Sequence, residues 1–292
     1  MLSPALIWDH RGCKALGVDT RLGELVGRGR TSDVYAYGED SVVKVPHHDV
    51  PADWPGLEAT LTEAVRRQGV PAAAVRDLVE IGGRTALVLE RVNGVSMWQQ
   101  MVSDPDRASS LADDFVAIQR SLLSIGIPDD VPDLTDRLIR KVRAAAGLTS
   151  AEHEEAAALV EALPRGAALL HGDFHPGNIL MGANGPVVID WFDATIGHPV
   201  ADIVRSSILL QPSHSAAPEH LPDATPELLD ALRQLYVAAF RVELEAAHAD
   251  LATWRATIAA ARLSEKAEVD ETGLLSMWTA RHDNLVALGP TM

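Results

Sequence analysis

The chain of 292 residues holds a single cysteine, Cys13. It cannot close an internal disulfide, which fits a reducing compartment. Aromatic residues make up only 4% against 47% hydrophobic residues overall, so the core must be built mainly from Leu, Val, Ala and Ile. No apolar run approaches the roughly 20 residues that a membrane span requires. The opening stretch MLSPALIWDHRGCKALG lacks a basic segment followed by a long apolar one, so no signal peptide is expected. The expectation is a soluble, cytoplasmic protein with no membrane partner.

Basic residues are also scarce. There are 25 Lys and Arg against 41 Asp and Glu, a net charge of −16. A nucleic-acid partner is not expected, because phosphate backbones call for basic surface. The imbalance is uneven: residues 1–95 carry 11 basic and 13 acidic side chains, and the remainder carries 14 and 28. An acidic second half favours a cationic substrate, although a solvated surface that maintains solubility gives the same count.

What is present divides into two textures. Residues 22–46 contain short β-branched runs, GELVG, DVYAYG and SVVKVP, with GEDS as a hairpin turn. WPGLEATLTEAVRRQG reads as a helix with Pro55 in its first turn, Gly69 past its end, and Leu57, Leu61, Ala64 and Val65 on one face. VRDLVEIGG and RTALVLERV follow as two more strands around Gly82-Gly83. The first lobe, residues 1–91, is therefore expected to be a small antiparallel sheet with one helix. Residues 92–96 are the expected linker. Residues 97–292 read as mainly helical, interrupted by two short strands, NILMG and PVVIDW, around an ANG turn. Thr149 with Glu152 reads as a helix N-cap. Residues 211–226 read as a loop, and two or three helices are expected from about 226 to 286.

The stretch LLHGDFHPGNILMGANGPVVIDW, residues 169–191, concentrates the chemistry. Asp173 lies two residues after His171, Asn178 lies five further on, and Asp190 ends an apolar run. A carboxylate and an amide oxygen are hard ligands suited to Mg²⁺. A second carboxylate remains to accept a proton, which is the requirement of phosphoryl transfer. The first lobe supplies matching parts. GRGRTSDVY places Gly27 and Gly29 in a turn whose backbone N–H groups can approach phosphate. Lys44 lies on the next strand, and a Lys in an apolar strand needs a counter-charge, for which Glu58 and Glu63 are candidates. His171 reads as a loop scaffold, His175 as scaffold or acceptor contact, Asp193 as an outer acceptor or a turn residue, and Asp202 as an anchor beneath the loop. The His and Asp alternation in HGDFH also suggests a transition-metal site, but no second group has ligand spacing.

The glycine turn, the strand Lys, the helix Glu, HGDFHPGN and VIDW together resemble the aminoglycoside phosphotransferase family, part of the wider protein-kinase-like fold. The resemblance implies an α+β, bilobal fold with ATP in the cleft and the acceptor on the helical lobe. It implies Asp173 as catalytic base and Asn178 and Asp190 as Mg²⁺ ligands. Gly27, Gly29, Ser32, Lys44 and Glu58 would serve the phosphates, and the backbone from Glu90 to Val92 the adenine. The family's helix-then-GVP register selects Glu58 over Glu63. Ser32 stands where protein kinases carry a third Gly, Gly172 where they carry Arg, and Trp191-Phe192 where they carry Phe-Gly; no long activation segment follows. These departures favour a small-molecule kinase over a protein kinase. The expected activity is ATP- and Mg-dependent phosphorylation of a hydroxyl on a small acceptor, an aminoglycoside-like antibiotic or a metabolite such as choline or a sugar. A nucleotide-binding pseudokinase is the non-enzymatic alternative.

Overall fold

The structure, a computed structural model, describes residues 5–7, 14–16, 22–126, 130–212, 221, 223–265 and 270–282. Cys13, most of the opening stretch, most of the 211–226 loop and the chain beyond 282 lie outside the described residues. Two compact units result: one comprises the chain through Val95 together with Ile179–Phe192, the other Ser96–Asn178 with the chain from Asp193 onward.

In the first unit, β1 (Ala5–Ile7) pairs antiparallel with β2 (Lys14–Leu16). β3 (Leu25–Arg28), β4 (Ser32–Ala36), β5 (Ser41–Pro46), β6 (Val75–Ile81) and β7 (Arg84–Glu90) form an antiparallel sheet in the order β3-β4-β5-β7-β6. Period-two alternation sends Val43 to one face, where it packs with Tyr37, Val79, Ala86 and Val88. Its neighbour Lys44 faces the opposite way and pairs in register with Leu87. α1 (Trp54–Arg67) buries Leu61, Ala64 and Val65 against β6 and β7. Each large side chain so buried contributes about 1.5–3 kcal/mol. Leu57, expected on the same face, is exposed. Gly82 and Gly83 both adopt positive φ, which closes the β6–β7 hairpin. β8 (Gly94–Ser96) follows.

In the second unit, α2 (Met97–Ser103), α3 (Ala108–Leu123), α4 (Leu134–Arg143) and α5 (Ser150–Ala162) precede β9 (Ala168–Leu170). α5 begins at Thr149 with a reciprocal cap to Glu152. β10 (Ile179–Gly182) and β11 (Gly185–Val188) form a hairpin belonging to the first unit, where Val188 N–H donates to the Pro71 carbonyl at 2.8 Å. The second unit resumes with β12 (Thr195–Gly197), antiparallel to β9. α6 (Pro199–Leu209) is buried from Val200 to Leu209, so it runs through the core. The polar Asp202, Arg205, Ser206 and Ser207 travel inside with it and need partners.

Four α-helices close the described chain where two or three were expected: α7 (Pro226–Ala239), α8 (Arg241–Ala246), α9 (Leu251–Arg262) and α10 (Glu271–Thr279). The breaks fall at Phe240, at 247–250 and after Arg262, in Ala-, Glu- and Arg-rich sequence with neither Gly nor Pro to mark them. β9 and β12 were likewise unmarked, because three residues are too few to express a period.

Candidate active site

In the first unit, Lys44 reaches two carboxylates. Its Nζ donates to Glu58 Oε1 at 2.7 Å and Oε2 at 2.9 Å, and to Asp190 Oδ1 at 3.0 Å. Burial alone would lower the pKa of the ammonium, but the charges of Asp190 and Glu58 outweigh it and the Lys44 pKa is raised. Lys44 is therefore a fixed cation. Glu63 is engaged elsewhere: its Oε1 accepts from Val75 N–H at 3.2 Å and from Arg66 at 3.4 Å.

Asp190 follows β11 with φ at 65°, a left-handed conformation that Asp tolerates better than most residues. Its side chain is 41% exposed, so it remains accessible to a ligand. The turn is braced behind it. Trp191 is buried and donates its indole N–H to the Val188 carbonyl at 3.0 Å. Phe192 packs on Trp54 of α1, with ring centroids 4.3 Å apart.

Gly27, expected in the β3–β4 turn, lies within β3, and Gly29 opens the turn. A methyl group on Gly27 would meet no atom within 4 Å, whereas one on Gly29 would lie 3.2 Å from the Ser32 carbonyl oxygen. Gly29 N–H donates to that oxygen at 2.9 Å, and Ser32 is buried. Glu90 ends β7 and exchanges two hydrogen bonds with Ala74: its N–H donates to the Ala74 carbonyl, and its Oε2 accepts from the Ala74 N–H. Val92 lies against Gly182.

In the second unit, the loop after β9 carries Asp173 and Asn178. Gly172 adopts φ of 77°, and a Cβ there would fall 2.2 Å from the Asp193 carbonyl oxygen, so glycine is required twice over. Asp202 of α6 accepts from Gly172 N–H at 2.8 Å and from His171 N–H at 3.4 Å. Gln119 of α3, fully buried, donates to Asp202 at 3.0 Å and accepts from the Tyr236 hydroxyl of α7. His171 and His175 stabilise the loop through Nδ1, accepting from the N–H groups of Asp173 at 3.2 Å and Gly177 at 3.1 Å. Asn178 Nδ2 donates to the Asp173 carbonyl at 3.0 Å. Phe174 is buried and stacks on Phe115 at 4.8 Å. His198 caps the N-terminus of α6, accepting from Val200 N–H. Burial lowers its pKa despite the opposing charge of Asp250.

A charge network that the sequence did not disclose surrounds this loop. Arg205 Nη2 lies 3.0 Å from Asp173 Oδ1, and Nη1 lies 2.8 Å from Glu265 Oε1. Asp193 is bound by Arg137, with Nε at 2.9 Å, and by Lys141 at 3.0 Å. Lys141 also meets Glu265 at 3.1 Å. Burial favours protonation of the Asp193 carboxyl, but Lys141, Arg137 and Arg205 overcome it and hold the group well below the usual carboxylate range. Burial likewise opposes the Glu265 charge, yet Arg205, Lys141 and Arg262 bring its pKa down to about 2. The local signals for this network are the i, i+4 spacing of Arg137 and Lys141 and the i, i+3 spacing of Arg262 and Glu265; the contacts that join these pairs to each other and to Asp173 are distant in sequence.

The called residues fall into two sets. Lys44, Glu58 and Asp190 meet in the first unit, and Asp173 and Asn178 meet in the second. Asn178 and Asp190, read as joint metal ligands, belong to different units. Among the described residues, no group of three or more His, Cys, Asp or Glu is arranged to hold a metal ion, and no helix is long and apolar enough to cross a membrane.

Residues 23–212 match the model of a family described as the phosphotransferase enzyme family. No curated protein matches the chain in sequence at a significant level. Solved structures share its fold over most of both chains. The ternary complex of APH(2'')-IIa with streptomycin and ATP superposes with a TM-score of 0.53 at 19% identity, covering 91% of this chain and 94% of that one. The amicoumacin kinase hAmiN in complex with AMP-PNP, Ca²⁺ and Ami gives 0.57 at 13%, covering 94% and 92%. A choline/ethanolamine kinase family protein from Mesorhizobium loti gives 0.54 at 16%, covering 93% and 90%. These likenesses establish an α+β, protein-kinase-like fold.

Proposed function

Because this chain belongs to the phosphotransferase enzyme family, we propose that it transfers the γ-phosphoryl group of ATP to a hydroxyl of a small cationic acceptor. The observation that carries this reading is the grip of Glu58 and Asp190 on Lys44, which keeps a buried cation charged and aimed. Lys44 binds the α- and β-phosphates. The turn from Gly27 to Ser32, shaped by the Gly29 N–H bond to the Ser32 carbonyl, covers the phosphates, and the backbone from Glu90 to Val92 holds the adenine.

Asp190 and Asn178 would hold Mg²⁺, and their donors fit it: an accessible carboxylate and an amide oxygen whose Nδ2 is already committed to Asp173. When bound, the ion offsets negative charge on the phosphates. Asp173 orients the acceptor hydroxyl and takes its proton as the oxygen attacks the γ-phosphorus. The bond from that phosphorus to the β–γ bridging oxygen breaks, and ADP leaves. Most of the acceleration comes from positioning and fixed charge.

The acidic balance of residues 96–292 supports a cationic acceptor. The neighbours extend the choice: one was solved with streptomycin, another belongs to a choline/ethanolamine kinase family. Aminoglycosides are accordingly the first acceptor class, and amino alcohols or sugars the second. A coupled ADP-release screen across aminoglycosides, macrolides, amino alcohols and sugars tests this. Acceptor-dependent ADP release supports it. Mg-ATP binding without ADP release for any acceptor points instead to a nucleotide-binding module.

A further inference from the structure

We propose that Arg205 is a positioning residue for the Asp173 carboxylate and that Glu265 is the counter-charge that makes this possible. The inference rests on the reading of Asp173 as the base. α6 reaches the loop twice from one face, because Asp202 and Arg205 are three residues apart. Asp202 fixes the backbone, taking the N–H groups of His171 and Gly172. Arg205 fixes the side chain that follows, with Nη2 at 3.0 Å from Asp173 Oδ1. A carboxylate on a short side chain turns about χ1 and χ2, so backbone anchoring alone leaves its direction open. With Oδ1 tied to a buried guanidinium, the direction of Oδ2 is set as well; that oxygen lies 3.7 Å from His175 Nε2.

Arg205 could not do this alone. Only 7% exposed, it has lost most of its hydration and needs compensating charge. A sole partnership with Asp173 would also bind that carboxylate as tightly as an ordinary buried salt bridge and dull it as a proton acceptor. Glu265 Oε1, at 2.8 Å from Nη1, takes the other prong of the fork. The guanidinium thus divides its charge among three acids, the third being Asp193 at 3.7 Å from Nη2, and its planar fork aims Asp173 and Glu265. Burial works against the Arg205 charge, but Glu265, Asp173 and Asp193 together raise its pKa, so the group is cationic throughout the working range.

The test is a kinetic cycle on the full chain, with ATP and the acceptor found by the ADP-release screen. Arg205→Met is expected to lower kcat by about 10²-fold, the scale of a misplaced reacting group, with KM for ATP unchanged. Arg205→Lys keeps the charge without the fork and is expected to recover part of that loss. Introduced on top of Asp173→Asn, Arg205→Met is expected to cost nothing further, because a residue acting through another has no effect once that one is gone. Thermal melts accompany each variant, and if Arg205→Met does not fold, Arg205→Lys carries the same cycle. An additive loss in the double variant, or wild-type kcat in both single variants while Asp173→Asn is impaired, overturns the role of Arg205. Wild-type turnover in Asp173→Asn overturns the base assignment itself.

Discussion

Lys44 and Asp190 stand 146 positions apart in sequence and 3.0 Å apart in space. The contact joins a strand lysine to a loop aspartate held in a left-handed conformation, and it places a permanent cation beside an accessible carboxylate. Substituting Lys44→Met removes the cation and leaves Glu58 buried without its partner. The expected result is a loss of about 10²-fold or more in kcat/KM for ATP, with a lowered melting temperature from the stranded carboxylate. Steady-state kinetics and a thermal melt check both.

Gly172→Ala is expected to cost about 2 kcal/mol or more in stability, because the added methyl group meets the Asp193 carbonyl at 2.2 Å in a left-handed conformation. The neighbouring Asp173 is displaced with it, so turnover falls even where the protein remains folded. Urea unfolding followed by circular dichroism gives the first number and an ADP-release assay the second.

Acid should weaken the protein through Glu265. Its folded pKa is about 2, below the usual Glu value of about 4.3. A depressed carboxyl pKa contributes stability that is complete above the unfolded value and is lost as pH falls through the folded one. Glu265→Gln should therefore be markedly less stable than wild type at pH 7, and the gap should narrow between about pH 4.5 and 2. Denaturant midpoints for both proteins across that range measure it.

The buried chain from Tyr236 through Gln119 to Asp202 supports the loop. Gln119→Leu leaves an Asp202 oxygen short of a donor inside the core, at a cost of about 1–3 kcal/mol. Calorimetry should show the melting temperature falling by several degrees, and more than for Tyr236→Phe, which removes only one hydroxyl.

The sequence was most readable where chemistry is local. Lys44 in an apolar strand demanded a counter-charge, and Glu58 supplies it. The HGDFHPGN loop drew Asp173 and Asn178 together by their spacing, and the family resemblance implied their roles. The five sheet strands of the first unit and α1 were legible because each is long enough to express its period. Three kinds of feature were not. β9 and β12, at three residues each, carry no period. The breaks around α8 use neither Gly nor Pro. The Arg137, Lys141, Arg205 and Glu265 network closes through contacts such as Arg137–Asp193, 56 positions apart, and Lys141–Glu265, 124 apart, by charge compensation that no short window of sequence records. Arg205 could have been noticed only as a cation in a helix dominated by Val, Ile, Leu and Ala, where a partner is obligatory once the helix is buried.

The most direct measurement is a single-turnover reaction with γ-labelled ATP, magnesium and an acceptor from the screen, run on wild type and on Asp173→Asn, with nucleotide affinity measured alongside. Label should appear as a phosphate ester on the acceptor in wild type, and the rate should fall by about 10²–10⁴-fold in the variant while ATP binds equally to both. Equal rates of label transfer in the two proteins would contradict the account.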